Sequence, residues 1–282
     1  MGLINASVDY FEQIWKQDAI NAKKSKEMWD KRSENFNRHR SDERITKVLD
    51  LLLKKNMLQK NSLVLDVGCG PGKFVIEFAQ KAKSVVGVDI SPKMLQLAAE
   101  NKASRKMENV KFQELDWEKA DLKSLDWEKR FDLVTGIMSP GFSSREGLEK
   151  MISASKKHCF VCHFVERKES VLDVLRKDVL SLEGSNIPMN NALYCSVNYL
   201  WLQNLFPEVT YINTGRESIL PLAEAASYYI NRLEMGKPLT QMQKKKVLDR
   251  LNYQAVNETV RERVSAKIAC IAWSVVKPEN QQ

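Results

Sequence analysis

The stretch Leu63–Gly72, with the sequence LVLDVGCGPG, constrains the fold more than any other part of the chain. An apolar run leads into Asp66 and then into three glycines at alternate positions, and residues 73–79 have the composition of a helix. A buried parallel strand that turns tightly into a helix presents backbone N–H groups at the carboxyl edge of a sheet. Glycine permits positive φ there and lets a ligand approach the backbone. The stretch therefore predicts an α/β fold whose turn binds an anionic or nucleoside-like group.

The spacing of the glycines argues against a dinucleotide as the ligand. The fingerprint GxGxxG needs glycine at position 73, where this chain has Lys73. A second strand, predicted over residues 84–88, ends at Asp89, which lies 21 residues beyond Gly68. A carboxylate at that distance can accept hydrogen bonds from both hydroxyls of a ribose.

A third strand is predicted over residues 109–113, and an acid follows it as well. Asp116 is well placed to bind an exocyclic amine, and Trp117 is well placed to stack on a base. One acid thus follows each of three strands, and the carboxyl ends of parallel strands meet at one edge of a sheet. This arrangement suits a neutral adenosine with a cationic tail better than a phosphate-rich dinucleotide.

These residues resemble the class I S-adenosylmethionine (SAM)-dependent methyltransferases of the small-molecule type, over about residues 25–165. The resemblance implies a doubly wound, seven-stranded, mostly parallel sheet (a Rossmann-like methyltransferase fold) with an N-terminal helical lid and a C-terminal helical cap insertion. It also implies SAM as the cofactor, with the methionine part at the glycine turn, the ribose at Asp89 and the adenine at Asp116. The cofactor-binding residues that it implies are Asp66, Gly68, Cys69, Gly70, Gly72, Asp89, Ile90, Asp116 and Trp117, with Trp29 and Arg32 from the lid.

The chain divides into three predicted parts. They are residues 1–55 (N-terminal helices and cofactor lid), 56–165 (SAM-binding core) and 166–282 (helical cap plus closing strands of the same domain). Strand four is predicted over residues 131–137, strand five near residues 158–165, and a short strand over 209–212. Residues 217–234 and 239–265 are predicted to be mostly helical, before a final antiparallel strand at 267–276.

The formal net charge of +8 raises the question of a nucleic-acid partner. Lysines dominate, and many face acids on predicted helices, as Lys31 faces Glu27. The densest run, Lys244–Lys246, is typical of a solvated helix turn. We interpret the charge as favouring solubility, with mild attraction for anionic substrates, and do not expect nucleic acid as a partner.

The cysteines and the hydropathy pattern predict a cytoplasmic protein without a membrane partner. The five cysteines are scattered, and the sequence has neither a run of eighteen apolar residues nor a secretory signal. Cys159, Cys162 and His163 form a CxxCH pattern. On a strand Cys159 and Cys162 face opposite sides, so we expect no metal and no haem there. The oligomeric state stays open.

Two residues near the end of predicted strand five are candidates for a general base. His163 lies where a methyl acceptor is expected, and Glu166 follows shortly after it. Residues 138–141 (MSPG) stand where methyltransferases that act on DNA bases or glutamine often show an NPPY-like motif, which argues against those acceptors. A set of aromatic residues in the predicted cap serves either as core or as a substrate box, namely Tyr194, Tyr199, Trp201, Tyr228 and Tyr229.

The sequence thus predicts an enzyme that transfers a methyl group from SAM to a small-molecule acceptor by in-line displacement. The alternatives are an RNA or protein methyltransferase and a non-catalytic SAM-binding protein. An NAD-dependent dehydrogenase is disfavoured by Lys73. The sequence does not identify the acceptor or its attacking atom.

Overall fold

The computed structural model describes residues 9–15, 26–30, 33, 43–182, 190–234 and 237–276. Residues 9–15 (α1) and 26–30 (α2) are helical, so the predicted N-terminal helix and lid are described only in part. Arg32, expected at the cofactor, lies outside the described residues. Within those ranges we find no helix with the length and hydropathy needed to cross a bilayer.

One sheet of seven strands organises the molecule. The strands are β1 (Leu63–Val67), β2 (Ser84–Asp89), β3 (Val110–Glu114), β4 (Phe131–Ile137), β5 (Ser155–Glu169), β6 (Glu208–Pro221) and β7 (Thr259–Ser274). The remaining helices are α3 (Glu43–Lys54), α4 (Lys73–Ala79), α5 (Pro92–Ser104), α6 (Arg145–Ala154), α7 (Leu172–Leu180), α8 (Asn190–Leu202), α9 (Leu222–Leu233) and α10 (Gln241–Gln254).

The strand order β3-β2-β1-β4-β5-β7-β6 confirms the predicted doubly wound architecture. Strands β1 to β5 pair in parallel. β7 runs antiparallel to β5. Val275, just after β7, donates to the Lys157 carbonyl near the start of β5, and Ser170, just after β5, donates to the Arg263 carbonyl near the start of β7. The order reverses between β1 and β4, which is where ligands bind in open α/β sheets.

The centre of the sheet is buried on both faces, which explains why its strands are mainly apolar. Every residue of β4 is buried. α4 buries Phe74, Val75 and Phe78 against the core on one side. α5 begins at a capped turn, where the Ser91 hydroxyl accepts from the Met94 N–H at 3.1 Å and proline occupies the first turn.

The chain separates into two compact units. The core unit comprises residues 1–164, 188–212 and 268–282, and the second unit comprises residues 165–187 and 213–267. β5, β6 and β7 each contribute residues to both.

The second unit has its own apolar core and a buried ionic group. Its core is formed by α7, α9 and α10 around residues such as Leu175, Tyr229 and Leu251. Glu169 is buried and accepts hydrogen bonds from Arg167 and Arg232. Burial alone would raise the pKa of Glu169, but the two guanidinium groups outweigh it and lower that pKa.

Two helical predictions in this part of the chain are wrong. Residues 217–221 belong to β6, and residues 259–265 belong to β7, so both strands are longer than predicted. In β7 the side chains alternate: Val260, Glu262, Val264 and Ala266 are buried, whereas Arg261, Arg263 and Ser265 are exposed. An alternation with period two is typical of a strand. The prediction was wrong because the charged residues of this segment are also compatible with a solvated helix.

Candidate functional site

The glycine turn joins the end of β1 to α4 in a backbone conformation that only glycine adopts readily. Gly68, Gly70 and Gly72 have φ values of 69°, 53° and 72°. The N–H groups of Gly68 and Cys69 both donate to the Val88 carbonyl, at 2.8 and 2.9 Å, which fixes the turn against β2. The turn is thus held by its own backbone.

The surroundings of the three glycines differ. A Cβ atom at Gly68 would lie 2.0 Å from the Ser139 Oγ, and one at Gly72 would lie 2.6 Å from the Phe112 ring. A Cβ atom at Gly70 would meet nothing within 4 Å. Gly68 and Gly72 are therefore required by packing, whereas Gly70 borders open space that a ligand could fill.

Asp89, at the end of β2, is tied directly to this turn. It is 9% exposed, and its Oδ2 accepts from the Gly70 N–H at 2.8 Å while its Oδ1 accepts from the Ser91 N–H at 2.9 Å. Burial raises the pKa of Asp89, and the hydrogen bonds from Ser91 and Gly70 offset part of that rise. The Ile90 N–H is a third backbone donor to this carboxylate, which can accept about four hydrogen bonds, so acceptor capacity remains for a ligand hydroxyl.

Asp66, on β1, is a second buried carboxylate next to the turn. It is 2% exposed, and its Oδ1 accepts from the Thr135 Oγ1 at 2.6 Å. Burial raises the pKa of Asp66 to about 7; the Thr135 hydrogen bond lowers it and the charge of Asp89 raises it further. Burial and these two acids also raise the pKa of the Cys69 thiol, so Cys69 is a neutral turn residue and not a nucleophile.

The loop after β3 is held near Asp89, because the Leu115 N–H donates to the Asp89 carbonyl at 3.0 Å. Asp116 is half-buried, and its Oδ2 lies 3.3 Å from the Lys119 Nζ. Trp117 is only 6% exposed, and its indole N–H donates to the Gly147 carbonyl at 3.0 Å. Trp117 thus packs the loop against α6, and little of its ring is left to stack on a base.

α2 lies at the same edge and brings in a residue that the sequence did not suggest. The Ser91 hydroxyl donates to Asp30 Oδ1 at 2.5 Å, and Lys26 Nζ lies 2.6 Å from Glu114 Oε1. Trp29, on this helix, is half-buried, as is Ile90 beside Asp89. Asp30 and Ser91 are 61 residues apart, so no local pattern could have paired them.

The residues proposed as general bases do not lie at a strand end. β5 continues to Glu169, so that premise for His163 is wrong, because the strand extends into the second unit. Glu166, in that unit, has a side chain 61% exposed, at 3.0 Å from the Lys267 Nζ. Cys159 donates to the Met151 carbonyl on one face of β5, and Cys162 packs into the core cluster on the other.

The loop after β4 leads from the glycine turn to a polar cluster at α6. Ser139, which touches Gly68, accepts from the Gly141 N–H at 3.0 Å. At the start of α6, Arg145 donates to Glu12 of α1 at 2.7 Å and to Glu149 at 2.9 Å. These contacts attach α1 to the β4 side of the sheet edge.

α8 packs on the same cluster. The Tyr199 hydroxyl donates to Glu149, and the Tyr199 ring contacts Trp15 of α1 with centroids 5.8 Å apart. Burial, with the Glu149 hydrogen bond, raises the pKa of Tyr199 to about 12. Trp15 (2% exposed) and Ser196 (0%) are buried here, and neither the indole N–H nor the hydroxyl has a hydrogen-bond partner in the described part of the chain.

The aromatic residues of the predicted cap are divided between the two units. Tyr199 is buried in the core unit, whereas Tyr194 and Trp201, on the same helix, are exposed. Tyr228 and Tyr229 belong to the second unit, where Tyr229 donates to Glu262 at 2.5 Å. Tyr199 thus belongs to the polar cluster on the β4 side, and Tyr194 contacts Phe11 of α1 with ring centroids 5.9 Å apart.

Comparison with known proteins finds a family model described as "Methyltransferase domain", which matches residues 58–193. The 23S rRNA (uracil(1939)-C(5))-methyltransferase RlmD of Shewanella frigidimarina is 35% identical over 95 residues, which are 33% of this chain and 21% of that protein. The release factor glutamine methyltransferase of Fusobacterium nucleatum is 34% identical over 97 residues, 34% of this chain and 26% of that protein. The chain thus spans about a quarter or less of the length of these relatives.

Among solved structures, the YcgJ protein of Bacillus subtilis is 17% identical, with a TM-score of 0.49 over 81% of this chain and 98% of that one.

Proposed function

Because residues 58–193 form a class I SAM-dependent methyltransferase domain, we propose that the protein transfers a methyl group from SAM to a small-molecule acceptor. The observation that carries the proposal is Gly70, whose N–H is fixed on Asp89 while the space next to its Cα is open. SAM supplies a methyl group on a sulfonium that is already activated toward attack.

The proposed cofactor residues fit this ligand. The turn at Gly70 borders the methionine part, Asp89 accepts from the ribose hydroxyls, and Asp116 accepts from the adenine amine. Asp66 and Asp89 are both buried, and among the described residues neither forms a salt bridge. Buried carboxylates without a cationic partner are costly in the free protein, so a positively charged ligand would relieve that cost.

For this reaction the main task of the protein is to orient SAM and the acceptor relative to each other. In-line displacement needs the acceptor lone pair close to the methyl carbon in a dry site, and orientation can contribute about 7–11 kcal/mol. A general base is needed only where the acceptor is a hydroxyl or thiol. Glu166 is occupied by Lys267 and is not proposed for this role, and His163 stays a prediction.

The proposal of a small acceptor rests on the contacts of α1, α6 and α8. They bury the indole N–H of Trp15 and the hydroxyl of Ser196 without partners among the described residues. Unpaired buried polar groups are rare in folded proteins and call for a functional or solvent explanation. The Trp15 indole N–H, next to the Tyr199 ring, suits a compact acceptor with an apolar body and a polar group.

RNA is the second candidate, since the net charge is +8 and a relative of similar sequence methylates rRNA. β7 is a basic strand, in which Arg261 and Arg263 are exposed and Lys267 is half-buried. However, Glu217 pairs with both arginines, and Glu166 pairs with the lysine. The positive charge of this face is therefore largely compensated, which favours the small acceptor.

We expect label from methyl-labelled SAM to appear in small molecules. The purified protein would be incubated with labelled SAM and with three fractions of a cell extract: metabolites that pass a small-pore membrane, purified RNA and protein. Transfer should occur only in the metabolite fraction, and the Asp89→Ala variant should abolish it. Label in RNA, lost steeply with added salt, would instead support the second candidate.

We expect SAM affinity to increase as the pH rises toward about 7, the pKa of Asp66 in the free protein. A cationic ligand stabilises the carboxylate, so the pKa of Asp66 is lower in the complex. Between the two values binding releases a proton, and affinity therefore falls as the pH falls. Calorimetry in two buffers of different ionisation enthalpy at about pH 6 measures that proton. Asp66→Asn should bind SAM without releasing this proton. If the variant releases as much as the wild-type protein, the proton comes from another group.

A further inference from the structure

We propose that Asp30 is a positioning residue for the cofactor site: it fixes Ser91, and through Ser91 it fixes Asp89. This inference rests on the proposed function, because Asp89 is there the acceptor for the ribose. Asp30 belongs to α2, and Asp89 and Ser91 lie where β2 passes into α5.

Ser91 is the link between the two acids. Its hydroxyl has a single proton, which it donates to Asp30 Oδ1 at 2.5 Å, and its oxygen accepts from the Met94 N–H at 3.1 Å. Its own N–H donates to Asp89 Oδ1 at 2.9 Å, and its carbonyl accepts from the Leu95 N–H at 3.1 Å. Ser91 is fully buried. Every polar group of Ser91 is therefore engaged, and Asp30 is the acceptor that sets the direction of its hydroxyl.

α2 has a second contact at this sheet edge, one helical turn away. Lys26 and Asp30 are four residues apart, so their side chains lie on the same side of the helix. Lys26 reaches Glu114 at the end of β3, but both side chains of this pair are substantially exposed, and exposed pairs contribute little. The partly buried hydrogen bond between Ser91 and Asp30 is thus the stronger attachment of α2 to the site.

Asp30 also acts on Asp89 through its charge. The groups that face Asp89 are Asp66 on β1, Cys69 in the turn and Asp30 on α2. Burial is the main cause of the raised pKa of Asp89, and the negative charge of Asp30 adds to it. The two roles of Asp30 are separable, because asparagine keeps an acceptor oxygen for Ser91 and removes the charge.

The test is SAM affinity by calorimetry over a range of pH, with three variants. We expect Asp30→Ala to weaken binding about ten-fold, the ratio that corresponds to one hydrogen bond to a charged group. Asp30→Asn should bind SAM nearly as well as the wild-type protein at neutral pH. Because the variant lacks the negative charge that raises the pKa of Asp89, protonation of Asp89 should weaken SAM binding at a lower pH than in the wild-type protein. The limb that belongs to Asp66, near pH 7, should stay in place in all variants.

Glu27→Gln is the matched control, because Glu27 is an exposed acid on the same helix. If Asp30→Ala does not fold, the role of Asp30 is still tested by Asp30→Asn, through the shift in the pH at which SAM binding weakens. Wild-type protein that does not bind SAM overturns the proposed function and this inference with it. Wild-type protein that binds SAM, with Asp30→Ala and Asp30→Asn both indistinguishable from Glu27→Gln at every pH, overturns the role of Asp30 alone.

Discussion

Replacing Asp89 with alanine is expected to weaken SAM binding at least about a hundred-fold, the equivalent of two hydrogen bonds to a charged group. The carboxylate holds the Gly70 N–H on one oxygen and the Ser91 N–H on the other. Its loss therefore leaves these two backbone N–H groups without their acceptor, besides removing the acceptor for the ribose. Isothermal titration calorimetry with SAM measures the change, and circular dichroism checks that the sheet is intact.

Two further variants make this result specific. Asp50→Ala removes an exposed acid from the surface of α3 and should bind SAM like the wild-type protein. Asp89→Asn should be nearly as damaging as Asp89→Ala, because an amide offers one acceptor oxygen to two backbone donors and turns its NH₂ group toward one of them. Unchanged affinity in Asp89→Ala would show that the ligand does not use the end of β2.

The parts of the site that could be predicted are those that local rules determine. β4 has the predicted bounds, Phe131–Ile137, because its mainly apolar residues follow the charged run 128–130 and stop shortly before Pro140. The glycine turn and Asp89 were predictable for a related reason. A tight strand-to-helix turn needs glycine at fixed positions, and parallel strands end at the same edge.

The parts that could not be predicted depend on contacts between distant segments. Asp30 reaches Ser91 across 61 residues, and nothing in the sequence around either residue indicates the other. Trp117 follows β3 as expected, but its orientation depends on the Gly147 carbonyl in α6. The length of β5 likewise depends on its pairing with neighbouring strands. Because β5 continues to Glu169, His163 lies within the strand and not at its end. The spacing of glycines and acids in the sequence thus predicted the binding edge of the sheet. The positions of the other side chains of the site depend on tertiary packing and could not be predicted.

Gly70→Val is expected to abolish SAM binding while the protein stays folded. The free protein has space next to the Gly70 Cα, since a Cβ atom there would meet nothing within 4 Å. The cost of the valine to folding comes from the positive φ of 53°, about 1–2 kcal/mol for a residue with a side chain and somewhat more for a β-branched one. The branched side chain would then fill the space proposed for the methionine part of SAM. Thermal denaturation and calorimetry measure the two effects separately.

The neighbouring positions provide the controls that separate ligand clash from backbone strain. Gly70→Ala carries much of the same strain with a smaller side chain, so it should retain more SAM affinity than Gly70→Val at a similar stability. Gly68→Ala should lose stability instead, because its Cβ atom would lie 2.0 Å from the buried Ser139 Oγ. If Gly70→Val and Gly70→Ala bound SAM equally, the open space at Gly70 would not hold the cofactor. The glycine would then be explained by φ alone, and the methionine part of SAM would have to lie elsewhere along the sheet edge.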